Sequence, residues 1–286
     1  MAATLQTMPA GGRTRVSVKK NHPGAEARSP RRIVLLAACL ALLFPSFAGA
    51  QENGLPRFFV YLQDVDPSIL QDIRYFGDHN FLGRPVKGYR APQCILTVRA
   101  AKALARVQAR LLPKDLSLKV YDCYRPVRAV QDFVDWAQLA GDELTKGEFY
   151  PTIDKSLLFK RGYIARRSAH SRGSAVDLAI VPLPVRAEPE FSIGGPMAAC
   201  HLPKDRRFAD NSLDFGTGYD CFHELSHTNN PAIAGDARDN RNLLVSEMAR
   251  AGFKNYHREW WHFGLVDEPY RKQQFDFPIT MPGVAN

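Results

Sequence analysis

Two short segments of the sequence carry side chains of the types that bind a metal ion and activate water. The first, SAHSRGSAVDL, contains His170 and Asp177, and the second, EWWHF, contains Glu259 and His262. Two imidazoles and one carboxylate make three zinc ligands and leave a fourth position for water, as a catalytic zinc site requires. Glu259 could take a proton from that water, whose pKa the zinc lowers. We predict that a turn at Gly173 folds His170 back beside Asp177.

Residues 223–227, HELSH, fit a different metal-binding pattern, H-E-x-x-H, in which two histidines bind zinc and the glutamate activates water. Both histidines must then lie on one face of a helix, but Gly218 precedes the motif and Pro231 follows it within four residues. Glu247 lies 20 residues after His227, near the spacing of a third ligand in one class of such enzymes. We nevertheless interpret HELSH as a coincidence, because five-residue patterns with two free positions arise by chance and these flanks contradict the required helix.

A fixed positive charge is also needed wherever an oxyanion develops during a reaction. The segment YDCYRP, residues 121–126, places Arg125 between a predicted strand end and a predicted helix start. Arginine suits this role because its guanidinium stays charged when partly buried. The alternative interpretation of Arg125 is an ordinary salt bridge at the end of a strand.

The elements that would position these residues are helices and strands in mixed order. Apolar residues recur at three- and four-residue steps and predict helices over 97–112, from Pro126 to before Gly141, and over 237–252. Alternating, β-branched and aromatic runs predict strands over 116–122, 174–181 and 258–266. Because the order lacks a regular βαβ repeat, we expect an α+β fold rather than a doubly wound sheet.

The first 50 residues have the layout of a secretory signal. An apolar run over residues 33–44 follows Arg31 and Arg32 and precedes the small residues SFAGA. The run is too short to span a bilayer comfortably, which argues against the alternative of an uncleaved membrane anchor. We predict cleavage after Ala50, which leaves one domain over residues 51–286 and an exported, periplasmic protein.

The net charge of the predicted mature domain argues against a nucleic-acid-binding protein. The net charge of +9 comes mostly from the signal, since residues 1–50 hold seven basic side chains and one acidic one. The remainder carries 31 basic and 28 acidic side chains, or a net charge of +3, which is too small to indicate a nucleic-acid partner.

Four cysteines remain after residue 50, at positions 94, 123, 200 and 221, without the C-x-x-C pairs of a structural zinc site. An even number in an exported chain favours disulfides, although buried free thiols are the alternative for Cys94 and Cys123.

The candidate site resembles that of a known family. S-x-H-x-x-G-x-A-x-D from Ser168 to Asp177, followed by E-x-x-H from Glu259 to His262, is similar to the zinc D-alanyl-D-alanine dipeptidases, including those of vancomycin resistance. Further segments that look like this family are DIRYFGDHNFLGRPVKGY (72–89), YDCYRPVRAVQDFVDWA (121–137), SRGSAVDL (171–178), EWWHFGLVDEPY (259–270) and FDFP (275–278). The resemblance implies a single compact α+β domain, with a central antiparallel sheet flanked by helices, related to hedgehog-type and D,D-carboxypeptidase zinc domains.

The resemblance also implies the chemistry. One zinc ion per chain would be held by His170, Asp177 and His262, with zinc-bound water as the nucleophile and Glu259 as general base and acid. The stretch from Pro184 to Ser212 looks longer than in the familiar pattern, so the loop contacts and the breadth of substrates do not follow from the family.

Four further residues take roles by the same resemblance. Arg125 would stabilise the transition state, and Asp214, Ser168 and Tyr75 would help hold the charged amino end of the dipeptide. The function expected is hydrolysis of D-Ala-D-Ala and related D,D-dipeptides met in peptidoglycan turnover. The partners expected are a small D,D-dipeptide, no nucleic acid, and no membrane span after signal cleavage, with the oligomeric state left open.

Two alternatives remain from the sequence. One is a D,D-carboxypeptidase of the same fold that acts on longer peptidoglycan stems. The other is a non-catalytic, zinc-bearing module that binds the cell wall. Glu259 and Arg125 argue against the module, because a binding protein needs neither a base nor a partner for an oxyanion.

Overall fold

The computed structural model of the protein describes residues 54–283, so the predicted signal and its cleavage site lie outside the described residues. Within this range the strands are β1 (Phe59–Tyr61), β2 (Leu70–Gln71), β3 (Ile95–Thr97), β4 (Leu116–Asp122), β5 (Ala175–Pro182), β6 (Phe253–Asn255) and β7 (His262–Leu265). The helices are α1 (Leu62–Val65), α2 (Val98–Leu111), α3 (Val127–Gln138), α4 (Lys146–Phe149), α5 (Leu158–Arg161) and α6 (Gly235–Arg250).

Five strands form a central sheet in the order β2-β4-β5-β7-β6. Its neighbours are antiparallel except for β2 and β4, which pair in parallel over two residues. Strands β1 and β3 form a separate antiparallel pair. The α+β class with a mainly antiparallel central sheet is therefore confirmed, and the parallel edge strand is an addition to it.

Helix α2 shows how the sequence pattern produces the fold. Thr97 caps its start by accepting a hydrogen bond from the Ala100 amide, and the apolar stripe that includes Leu104 and Leu111 is fully buried. The helix ends at Leu111 and passes into a 3₁₀ turn that contains Pro113, which cannot donate the hydrogen bond that would continue it. The prediction over 97–112 is thus confirmed to within one residue at each end.

The strands of the sheet centre match their predictions closely, whereas the last strand is shorter than expected. Strand β4 has the predicted bounds, and β5 is displaced by one residue. Of the strand predicted over 258–266, only His262–Leu265 pairs in the sheet. Trp260 and Trp261 are almost fully buried, but they lie in a turn before the strand rather than in it. Apolar character alone could not separate a buried turn from a buried strand.

The long segment between β5 and α6 is irregular, with 3₁₀ turns at Lys204–Arg206 and Glu224–Ser226. Two disulfides are present, Cys94–Cys123 and Cys200–Cys221, and the second closes part of this segment. In the part of the chain that is described, none of the helices combines the length and the apolar character needed to cross a membrane.

Candidate metal centre and active site

The register of three neighbouring strands brings three polar side chains into one row. Asp122 at the end of β4 pairs with Asp177 of β5, and Asp177 pairs with His262 at the start of β7. Directly opposed residues on antiparallel strands have Cβ atoms only about 5 Å apart. The sheet itself therefore sets the Asp177 carboxylate beside the His262 imidazole.

His170 reaches the same place from a 3₁₀ turn that precedes β5. The turn ends at Gly173, whose φ is +75°, and a Cβ there would lie 2.1 Å from Cε1 of Phe59. Glycine meets both demands, the left-handed backbone and the close approach of the phenyl ring. As predicted, the turn folds His170 back, so that its Nε2 atom lies 3.3 Å from Asp177 Oδ1.

These three side chains fit a zinc ion. His262 Nδ1 lies 2.9 Å from Asp177 Oδ1 and 3.1 Å from His170 Nε2. Ligand atoms of a tetrahedral zinc site with bonds of about 2.1 Å stand about 3.4 Å apart, close to the observed separations. The donor set, two imidazole nitrogens and one carboxylate oxygen, is one that zinc accepts in catalytic sites.

A hydrogen bond fixes which nitrogen of His170 is free for a metal. Its Nδ1 lies 2.7 Å from the backbone carbonyl oxygen of Cys123, so Nδ1 carries the proton and donates it. The lone pair is thereby left on Nε2, which faces Asp177 and His262. Sequence reasoning missed this contact, because a backbone carbonyl leaves no signature in the residue types. Such orienting hydrogen bonds are typical of metal-binding histidines.

Asp177 has polar partners on both of its oxygens, and they favour its ionised form. It is 2 % exposed, and its second oxygen accepts hydrogen bonds from the Tyr219 hydroxyl at 3.3 Å and from Arg125 at 3.4 Å. Burial alone would raise the pKa of Asp177, but His170 and His262 outweigh it and hold that pKa below its ordinary value. A buried carboxylate in an apolar strand is thus accounted for by its partners.

Glu259 stands beside the three candidate ligands without being one of them. It lies in the turn before β7, and its Oε2 atom is 3.7 Å from His262 Nδ1. Among residues 54–283, no group donates a hydrogen bond to its carboxylate. Burial raises the pKa of Glu259 to about 7, although the neighbouring His262 opposes the shift. A carboxyl with a pKa near neutrality can both accept and return a proton.

The surroundings of Arg125 are compatible with both interpretations of this residue. It forms a salt bridge at the strand end, with its Nη2 atom 2.7 Å from Asp122 Oδ2, and it also lines the cavity that contains the candidate ligands. Its guanidinium lies over the ring of Tyr75 at 5.0 Å. Burial alone would lower the pKa of Arg125, but the carboxylate of Asp122 and the other acidic groups around it together raise that pKa well above its ordinary value, so the group is a permanent positive charge.

The cavity itself has a volume of about 270 Å³ and a second acidic site. Asp220 lines it, is 6 % exposed, and accepts a hydrogen bond of 2.6 Å from the Tyr75 hydroxyl. Burial and the charge of Asp177 raise the pKa of Asp220 well above its ordinary value. This carboxyl therefore lacks the counter-charge that a cationic ligand would supply.

The substrate-binding residues expected from the sequence are only partly brought together. Tyr75 and Ser168 line the cavity, and the Ser168 hydroxyl accepts a hydrogen bond from the His170 amide at 3.2 Å. Asp214 does not line it, since its carboxylate binds Arg207 at 2.6 Å and caps the Gly216 amide. The structure therefore does not bring Asp214 to the cavity, and Asp220, six residues further along the chain, lies there instead.

HELSH lies in a loop rather than in a long helix. The segment contains a single 3₁₀ turn at Glu224–Ser226, and His223 Nδ1 accepts the Leu225 amide hydrogen. The Glu247 carboxylate is bound by Arg110 at 2.6 Å and Lys114 at 3.1 Å. Among the described residues, the groups of side chains placed to hold a metal include neither His227 nor Glu247.

A second cluster, Cys200, His201 and Cys221, has metal-binding residue types but a different state. The two sulfur atoms are joined to each other in a disulfide, so they offer no thiolate ligands. The His201 ring stacks on His223 at 4.4 Å. The cluster therefore stabilises the irregular segment through a disulfide and a ring-stacking contact.

A family model and several known proteins are similar to this chain over most of its length. The chain matches the family model described as D-ala-D-ala dipeptidase, peptidase M15, over residues 57–184 and 186–280. It is 36% identical over 222 residues to a D-alanyl-D-alanine dipeptidase of Streptomyces coelicolor, covering 78% of this chain and 98% of the relative. It is 33% identical over 221 residues to the D-alanyl-D-alanine dipeptidase of Enterococcus faecium, covering 77% of this chain and 98% of the relative.

Among solved structures, the chain is similar to the vancomycin resistance D,D-dipeptidase VanXYg in complex with a D-Ala-D-Ala phosphinate analog. The identity is 15%, the TM-score is 0.31, and the match covers 74% of this chain and 68% of that chain.

Proposed function

Since this chain belongs to the peptidase M15 family, the D-Ala-D-Ala dipeptidases, we propose that it is a zinc dipeptidase that hydrolyses D-Ala-D-Ala and related D,D-dipeptides. The observation that carries the proposal is the convergence of His170 Nε2, Asp177 Oδ1 and His262 Nδ1 within 3.3 Å of one another. Glu259 stands beside them in the same cavity.

Glu259 would act as the general base and the general acid of the reaction. Zinc, when bound by His170, Asp177 and His262, would supply Lewis-acid chemistry that lowers the pKa of water and polarises the peptide carbonyl. Glu259 would take the proton of the attacking water and deliver it to the amino group that leaves. A pKa of about 7 supports both transfers, because the group changes its protonation state easily near neutral pH.

Arg125 would stabilise the negative charge that develops on the carbonyl oxygen of the scissile bond. Its guanidinium is oriented in advance by Asp122 and by the ring of Tyr75, so it need not reorganise during the reaction. Oriented positive charge of this kind is among the largest contributions to catalysis at buried sites.

The free amino end of the dipeptide would be bound by Asp220. An ammonium group at this carboxylate would supply the counter-charge that the buried site lacks, and Tyr75 would hold the carboxylate in place. Pairing of Asp220 with a free amino group disfavours longer stems, because the corresponding nitrogen of a stem peptide is an uncharged amide. This feature favours a dipeptidase over a D,D-carboxypeptidase of the same fold.

Replacing Asp220 with Asn is expected to raise KM for D-Ala-D-Ala about tenfold to a hundredfold, because a buried hydrogen bond between two charged groups is lost. Steady-state kinetics on the purified variant measures this change. Asp214→Asn is the matched control, since its carboxylate faces Arg207 outside the cavity, and its KM is expected to stay within about twofold of the wild type. Equal KM values for the two variants would contradict the role of Asp220.

Export to the periplasm is part of the proposal. The two disulfides support it, because disulfides form and persist in oxidising compartments. A periplasmic enzyme of this kind would act on dipeptide released in peptidoglycan turnover.

The direct test of the proposed function is release of D-alanine by the protein over residues 51–286. We expect release from D-Ala-D-Ala, its loss after treatment with a chelator, and its return when zinc is added. A stem pentapeptide ending in D-Ala-D-Ala should be cleaved at least about a hundredfold more slowly, because binding its extended chain would leave Asp220 unpaired. Faster cleavage of the pentapeptide would favour the carboxypeptidase, and no release from either substrate would favour the wall-binding module.

A further inference from the structure

A free dipeptide carries two opposite charges, and the proposed function accounts for only one of them. Asp220 is placed for the ammonium group, but the carboxylate at the other end also loses water when the substrate enters the cavity. A desolvated carboxylate without a cationic partner would oppose binding. The cavity wall should therefore contain a positive group that is available to the substrate.

Two arginines line the cavity, and they differ in what already surrounds them. Arg125 is engaged by the carboxylates of Asp122 at 2.7 Å and Asp177 at 3.4 Å. Arg167 is exposed, and within residues 54–283 no acidic side chain, hydrogen-bond acceptor or aromatic ring contacts its guanidinium. Its charge is thus the one on this wall that a ligand could use without first displacing a protein partner.

The position of Arg167 along the chain also fits a role next to the reacting bond. It lies three residues before His170 in a segment that lines the cavity. Three residues span at most about 11 Å, and an arginine side chain adds several ångströms of reach. In a dipeptide the carboxylate is one residue beyond the scissile carbonyl. A guanidinium tethered this close to the metal ligand can reach that group.

We propose that Arg167 recognises the C-terminal carboxylate of the substrate and makes the enzyme selective for dipeptides with a free acid end. Guanidinium and carboxylate groups match in geometry and form two parallel hydrogen bonds. Asp220 would then bind the ammonium end of the dipeptide and Arg167 its carboxylate end. This inference rests on the proposed function, because it takes the substrate to be a free dipeptide.

The test compares Arg167→Ala with Arg166→Ala, its neighbour in the sequence. Arg166 is a matched control, since its guanidinium lies over the Phe159 ring at 5.0 Å and does not line the cavity. Both changes are made in zinc-loaded Glu259→Gln protein, so that ligands are bound without turnover. Dissociation constants for D-Ala-D-Ala and for its C-terminal carboxamide are measured by calorimetry.

We expect Arg167→Ala to weaken binding of the acid about tenfold while the carboxamide binds as before, and Arg166→Ala to change neither. Arg167→Lys should restore part of the affinity for the acid, because it returns the charge without the planar fork. Equal weakening of acid and carboxamide, no change in either, or no measurable binding of the acid would each overturn the inference. D-alanine release by the wild-type protein is a separate test of the proposed function.

Discussion

Replacing Glu259 with Gln is expected to lower kcat for D-Ala-D-Ala about a thousandfold while the protein keeps its zinc. Glutamine has nearly the same shape but cannot accept a proton, so the variant loses general-base and general-acid catalysis together. Glu259 lies 3.7 Å from His262 Nδ1 and is not among the three residues that converge on the candidate metal position. The zinc content, measured by atomic emission on the same sample, should therefore stay at one ion per chain.

The matched control for this change is Glu224→Gln, which alters the glutamate of HELSH in the same way. Glu224 lies in a 3₁₀ turn on the irregular segment and does not line the cavity, so kcat should remain within about twofold of the wild type. If Glu224→Gln were the inactive variant and Glu259→Gln the active one, the base would belong to the HELSH segment and our assignment would be wrong.

Replacing His262 with Ala is expected to abolish activity by removing the metal. One of the three proposed protein ligands is lost, and the Asp177 carboxylate loses the imidazole that lies 2.9 Å from it. Changes in groups that only orient a ligand already weaken metal binding about tenfold to a hundredfold, so the loss of a ligand should exceed a hundredfold. Competition with a chromophoric chelator measures the zinc affinity directly and does not depend on turnover.

His227→Ala serves as the control in that titration. His227 follows the 3₁₀ turn of HELSH, and its backbone carbonyl, rather than its side chain, accepts a hydrogen bond from buried Arg241. We expect zinc affinity and D-alanine release close to those of the wild type. Loss of zinc in His227→Ala with full retention in His262→Ala would restore the HELSH motif as the metal site.

The sequence predicts the centre of the fold well, and the same regular elements bring the candidate metal ligands together. Helix α2 and strands β4 and β5 bury regular apolar faces, so the period of the pattern determines both the element and its bounds. The candidate ligands are fixed by the same elements, since Asp177 and His262 are paired by strand register and His170 by a turn that requires glycine. Residue type and spacing therefore carried most of the information about these positions.

The substrate end of the site could not be predicted in this way. Asp214 and Asp220 lie in the same irregular segment, and neither belongs to a periodic pattern that would show which one faces the cavity. Asp220 is distinguished by a tertiary contact, the hydrogen bond from the Tyr75 hydroxyl, and by a left-handed backbone with a φ of 53°. The short strands β2 and β6 were missed for a similar reason, because two or three residues are too few for a period to be detected.

We propose that one metal ion binds between the sheet and the turn at residues 170–172. Anomalous diffraction at the zinc edge, from crystals of the protein grown with zinc, locates that ion. We predict a single strong peak bounded by His170 Nε2, Asp177 Oδ1 and His262 Nδ1, with the Glu259 carboxylate beside it. A peak at His223 and His227, with none between positions 170 and 262, would contradict the account.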